Sequence, residues 1–154
     1  MSLSRKLIER LPLNVLKVYL DASVIIAALL SPKGGSAKLI KNTKVFNFTS
    51  IISQTVVDEL VAKKEKIKKS EEEISQFISK NKILVRKSIS LSEIKSLEGL
   101  IDRDDARLIA GARLTKCRYL VTLDKKHLLR PDIKKHFRDI KILTPGEMLA
   151  ILAE

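Results

Sequence analysis

One cysteine, Cys117, and no tryptophan occur in this chain. A lone cysteine excludes an intramolecular disulfide and points to a reducing compartment or to a fold that does without sulfur bridges. With only two histidines beside it, a zinc site built from four Cys and His ligands is excluded as well. No apolar run approaches the roughly 20 residues needed to span a bilayer. The longest, from Val24 to Leu30, has the length of a core helix. The stretch before Val18 carries basic residues but neither the apolar centre nor the small-residue cleavage site of a secretory signal. These absences predict a soluble, cytoplasmic protein with no membrane partner.

Acidic residues are also scarce. Asp and Glu number 18 against 30 Lys and Arg, a net charge of +12. A surface this basic repels itself, and a polyanionic partner is the simplest reason to keep it. The competing explanation is a lysine-rich thermostable surface, but there Lys and Glu rise together. The one-sided excess favours nucleic acid. Aromatic residues are only 4% of the chain, so binding should follow the phosphate backbone and weaken with salt rather than rest on base stacking.

What remains is an ordinary globular composition. Hydrophobic residues make up 45% of 154, enough for one domain with a proper core and no staples. Short β-branched runs alternate with helical stretches, which predicts an α/β fold with a mostly parallel sheet. Strands are expected at residues 17–21, 45–49, 82–86, 118–122 and 140–143. Helices are expected at 22–30, from a Ser36 cap to 42, and from Ser53 along an apolar face of Val56, Val57, Leu60, Val61 and Ile67. Others should run from a Ser70–Glu73 capping box, over 92–101, over 104–114, and from a Thr144 cap with Pro145 at the first helical position. The run Lys63-Lys64-Glu65-Lys66 reads as a solvated helix face.

Four acids fall where such a fold seldom places them without a use. Asp21 and Asp124 follow the first and fourth strands, and in open parallel sheets the functional crevice lies beyond those strand ends. Asp105 sits in the first turn of a helix, and Glu59 lies inside the apolar stretch Val56-Val57-Asp58-Glu59-Leu60-Val61. Each also has a plain explanation: Asp21 as a helix cap, the run Asp102-Arg103-Asp104-Asp105 as charge on a helix N-terminus, Asp124 as a turn residue, and Asp58 or Glu59 as a solvent-facing acid. Their conjunction carries the argument. Gathered carboxylates repel one another unless a cation neutralises them, and an all-oxygen donor set favours Mg²⁺ or Mn²⁺. Such a site suits hydrolysis of phosphodiesters.

The same residues resemble the motifs of the PIN-domain family. Val18-Tyr19-Leu20-Asp21-Ala22-Ser23 resembles its first motif, Val57-Asp58-Glu59-Leu60 its second, Asp104-Asp105-Ala106 its third, and Tyr119-Leu120-Val121-Thr122-Leu123-Asp124 its fourth. The segment from Ile142 to Leu149 is similar to the tail of PIN proteins described as toxins of the VapC type. The resemblance covers residues 17–154 and leaves 1–16 as an N-terminal extension. It implies a single PIN-like domain with a five-stranded, mostly parallel sheet between helices. It further implies a metal-dependent ribonuclease that cuts RNA with an acidic quartet of Asp21, Glu59, Asp105 and Asp124. Asp21, Asp105 and Asp124 would be the metal ligands, Glu59 would hold a second ion or orient the attacking water, and Ser23 and Thr122 would fix carboxylate rotamers. Asp104 competes with Asp105 for its place. The family also implies homodimers and, for many members, a protein antitoxin.

The basic run after Asp124 supplies candidate RNA contacts, with Lys125, Lys126 and Arg130 foremost. His127 and His136 are read as phosphate contacts or bystanders. Two rivals fail on residues: a haloacid-dehalogenase-type phosphatase needs an Asp where Ser23 stands, and a receiver domain needs its phosphoacceptor after the third strand, where the sequence reads Val85-Arg86-Lys87. The remaining alternative is a catalytically silent PIN-like module that binds RNA or protein. Deoxyribonuclease activity is disfavoured, because this chain has no room for the helical clamp of flap-cutting relatives.

Overall fold

A computed structural model describes residues 2–12 and 14–154. Five strands form one sheet: β1 (Leu16–Leu20), β2 (Phe48–Ser53), β3 (Leu84–Arg86), β4 (Tyr119–Val121) and β5 (Lys141–Leu143), in the order β3-β2-β1-β4-β5. All four pairings are parallel. The chain steps outward from β1 to β3, then crosses back and steps the other way from β4 to β5. The reversal lies between β1 and β4, where a ligand crevice is expected in such sheets.

Helices cover both faces. They are α1 (Ser2–Glu9), α2 (Ala22–Leu30), α3 (Gly35–Lys41), α4 (Thr43–Phe46), α5 (Gln54–Ala62), α6 (Lys64–Ile67), α7 (Glu71–Lys80), α8 (Arg103–Leu114), α9 (Pro131–His136) and α10 (Pro145–Leu152), with a 3-10 helix at Ser92–Leu97. Successive strand residues point to opposite faces, so the core is double. Val18, Leu20, Ile52 and Val121 pack with Ile25, Leu39, Leu60 and Ile74 on one face. Tyr19, Ile51, Leu120 and Ile142 pack with Ile94, Ile109 and Phe137 on the other. Ile8 of α1 joins the second core. Among the described residues no single helix is long and apolar enough to cross a membrane. The pair α2 and α3 has the length and composition but is bent by 103° and contributes Val24, Ile25, Leu39 and Ile40 to the core.

The predicted capping box forms at Ser70 with Glu73, and the predicted Thr144 cap forms a second box with Glu147. Several boundaries differ from expectation. The second strand lies three residues later than 45–49. Val45 is exposed on α4, Asn47 ends that turn with a left-handed φ of 56°, and the buried run is Ser50–Ser53. Val45, Phe46 and Phe48 ahead of Thr49 read as a strand because the turn at Asn47 carries no glycine or proline. The long helix from Ser53 breaks at Lys63 into α5 and α6. The helix over 92–101 is a 3-10 helix that stops at Leu97. Gly34, not Ser36, precedes α3, and Ser36 is buried within it.

Candidate active site

The site is built at the C-terminal ends of β1 and β4. Asp21 occupies the N-cap position of α2, yet its carboxylate makes no capping hydrogen bond. Instead Asp21 Oδ2 accepts from Ser23 Oγ at 2.8 Å and from Thr122 Oγ1 at 2.8 Å. The explanation of Asp21 as a plain helix cap therefore fails. Ser23 Oγ in turn accepts from the Leu123 amide at 3.1 Å, and Thr122 Oγ1 from the Asp124 amide at 3.1 Å. Two hydroxyls thus tie the first acid to the backbone that carries the fourth, so the β1 and β4 loops are set as one unit.

Asp105 comes from the first turn of α8. It is 8% exposed, as is Asp21. Asp104, its neighbour, carries a side chain 89% exposed and pairs with Arg107 at 3.7 Å. Burial separates the two candidates in favour of Asp105. Asp102 is the true cap of α8, accepting from the Asp105 amide at 2.9 Å.

His127, from the turn after β4, closes this corner. Its Nδ1 lies 3.1 Å from Asp105 Oδ2 and 3.2 Å from Asp102 Oδ2. Asp102, Asp105 and His127 each offer a ligand atom, all within 4.8 Å of one another. Burial, then the charges of Asp102 and Asp124, push the Asp105 carboxyl up to about 6, against the pull of His127. His127 is pushed up in turn by its hydrogen bond to Asp105 and the nearby charge of Asp124. Neither Asp102 nor His127 was expected at this corner: His127 reads in the sequence as a phosphate contact or a bystander, whereas it lies against Asp102 and Asp105. Asp102 passed as helix-end charge, and a histidine three residues past a strand-end acid has no spacing rule that would flag it.

Asp124 Oδ1 accepts from the Lys126 amide at 3.2 Å, so the turn reading of Asp124 is part of its role. Glu59 stands apart from that corner. It is half-exposed on α5, pairs with Lys63 at 3.3 Å, and lines a small cavity with Tyr19, Ser53, Asp104 and Arg107. Asp58 is exposed and accepts from Gln54 instead, so of that pair Glu59 is the inward one. Lys125 and Lys126 are exposed beside Asp124, whereas Arg130 is engaged through two nitrogens with Asp132 at 3.1 and 2.8 Å.

The family model for the PIN domain matches residues 17–126, which span all four acids. No curated protein is similar enough in sequence to count as a match. Among solved structures, the chain is similar to VapBC2 from Rickettsia felis bound to a DNA fragment from its promoter. The TM-score is 0.58 at 17% identity, over 84% of this chain and 98% of that one. It is also similar to VapBC-1 from nontypeable Haemophilus influenzae, with a TM-score of 0.55 at 14% identity over 85% and 99%. At such identities these likenesses concern the fold. The family model covers most of the sequence, and the chain belongs to the PIN-domain family.

Proposed function

We propose that this protein is a divalent-metal-dependent endoribonuclease that hydrolyses RNA phosphodiester bonds. One observation supports the reading: Asp21 and Asp124, linked through Thr122 at the strand ends where the order reverses, and the buried Asp105, near enough to Asp124 to feel its charge, are each held by one oxygen. Asp21 is held through Oδ2, Asp105 through Oδ2 and Asp124 through Oδ1. Their other oxygens have no hydrogen bond among the described residues, so each carboxylate is oriented and still has a donor to offer.

These donors fit Mg²⁺ or Mn²⁺. They are hard oxygens, and the raised pKa of Asp105 is the electrostatic strain that a cation relieves. Asp21, Asp105 and Asp124 would hold the ion, with Glu59 toward a second one or toward the attacking water. When bound, a divalent ion supplies Lewis-acid polarisation of water and phosphodiester. The chain's own residues do the rest. Ser23 and Thr122 lock the Asp21 rotamer. His127 and Asp102 hold Asp105 in place. The exposed Lys125 and Lys126 steer the polyanion toward an otherwise acidic corner, with Arg130 contributing once it leaves Asp132.

The same reading assigns residues 17–154 to the nuclease domain and 1–16 to an N-terminal extension. Because the fold neighbours are two-component VapBC assemblies, it includes a protein antitoxin as partner, and it includes a homodimer and a cytoplasmic location. The test is cleavage of labelled RNA and DNA oligonucleotides with Mn²⁺, Mg²⁺ or EDTA. RNA cut only with metal supports the proposal. RNA bound but never cut, with binding indifferent to EDTA, favours the silent binding module.

A further inference from the structure

Arginines in this protein are generally well satisfied where they are half-buried. Arg86 contacts Glu93 through both terminal nitrogens, at 3.2 and 2.7 Å, and Arg113 contacts Asp139 at 2.7 and 2.9 Å. Arg107 differs. Its side chain is 28% exposed, it makes no hydrogen bond among the described residues, and its single ion pair is the 3.7 Å contact to the solvent-facing Asp104. A planar fork of five donors is left almost unused.

Arg107 borders a small cavity of mixed polar and apolar lining. Arg107 and Glu59 line it with Tyr19, Ser53, Thr55 and Asp104, and its free volume is about 20 Å³, room for roughly one oxygen-sized group. The Tyr19 phenol and the Ser53 hydroxyl are both buried, and neither has a partner at good hydrogen-bond geometry, although they lie close enough to influence each other. Thr55 Oγ1 accepts from the Ile89 amide at 3.0 Å and keeps its own proton to donate. Buried polar groups without partners are uncommon and call for an occupant. Here the donors all suit an anionic oxygen. Two carboxylates border the cavity. Glu59 already faces Lys63 at 3.3 Å, and Asp104 is nine-tenths exposed, so releasing Arg107 from it costs little.

We propose that Arg107, backed by the Tyr19 and Ser53 hydroxyls, forms a subsite for a non-bridging phosphate oxygen of the bound RNA strand. It rests on the nuclease reading above and names the group that seats the substrate beside Glu59. The guanidinium edge takes the phosphate, and the hydroxyls hold either a phosphate oxygen or the water that bridges to it.

The test is binding of a fluorescein-labelled single-stranded RNA of mixed sequence, followed by anisotropy across a salt series. The full chain carries Asp21→Asn to prevent turnover, with Arg107 intact, Arg107→Gln or Arg107→Lys. Gln keeps the aliphatic packing while removing the charge. The expected result is affinity about tenfold lower or worse for Gln, with the slope of log K against log salt reduced by about 0.7. Lys should keep the slope and lose part of the affinity, and it decides the matter if the Gln variant fails to fold. Unchanged affinity and slope for the variant that folds overturns the subsite alone. An Asp21→Asn protein that binds no RNA at any salt overturns both the subsite and the nuclease reading.

Discussion

Thr122 and Asp21 lie 101 residues apart in sequence, and the Thr122 hydroxyl donates to Asp21 Oδ2 at 2.8 Å inside a pocket that leaves Thr122 fully buried. The bond joins the ends of the two strands between which the sheet reverses. Because Thr122 Oγ1 also accepts from the Asp124 amide, one hydroxyl sets the position of two acids.

Thr122→Val should therefore damage function more than stability. It leaves the Asp124 amide without its partner and Asp21 Oδ2 with Ser23 as its one remaining donor, costing about 1 kcal/mol of stability. Cleavage should fall about 10- to 100-fold, as for other residues that orient metal ligands. Thr122→Ser should recover most of it. Chemical denaturation and initial cleavage rates on the three proteins check this, and equal rates for Val and wild type would contradict it.

The acidic corner makes a pH prediction for metal-free protein. Asp105 has a folded-state pKa raised to about 6, so its neutral form is the one that folding favours. The stability it contributes is present below the unfolded value near 4 and is lost as pH rises from there through about 6. His127, also raised, acts in the same direction at higher pH, contributing stability below its unfolded value and losing it as pH rises through its folded one. Asp105→Asn should stabilise the EDTA-treated protein at pH 7.5 by about 1 kcal/mol after allowing for solvent screening, and flatten the fall between pH 4 and 6. Mn²⁺ should raise the wild-type Tm more at pH 7.5 than at pH 5, where protons compete for the carboxylates. Thermal melts across pH, with and without Mn²⁺, measure both.

Gly111 and Tyr19 give a packing test independent of chemistry. A Cβ placed on Gly111 would overlap the Tyr19 phenol oxygen and the ring carbon that bears it, in a side chain that is fully buried. Gly111→Ala should cost about 1 to 3 kcal/mol despite alanine's better helix propensity. Adding Tyr19→Phe should return part of that, because the nearest clashing atom is the oxygen. Additive losses in the double variant would contradict the contact.

The residues reveal much of this fold and only part of its site. The apolar run Val18-Tyr19-Leu20, buried throughout, and the helix caps at Ser70 and Thr144 are local signals, so α/β order and these helix starts were readable. The strand near residue 48 was misplaced because a left-handed asparagine ends α4 without glycine or proline to announce it. The positions of Asp21 and Asp124 after their strands and of Asp105 in the first turn of α8 were readable, because strand ends and a helix start are local features. His127 and Asp102 were not, since their meeting depends on how the loop after β4 folds back on the start of α8, a contact between residues 25 apart that no periodicity encodes. The same holds for the fork of Arg107, held only by the 3.7 Å contact to Asp104.

The central claim is that Asp21 and Asp105 belong to a working hydrolytic site. The most direct measurement is single-turnover cleavage of a labelled RNA in Mn²⁺ by wild type, Asp21→Asn, Asp105→Asn and Asp58→Asn, the last an exposed acid paired only with Gln54. The account predicts cleavage by wild type and Asp58→Asn at similar rates, and losses of at least about 100-fold for the other two. Asp21→Asn and Asp105→Asn cutting as fast as wild type, or no protein cutting at all while every one binds RNA, would contradict it.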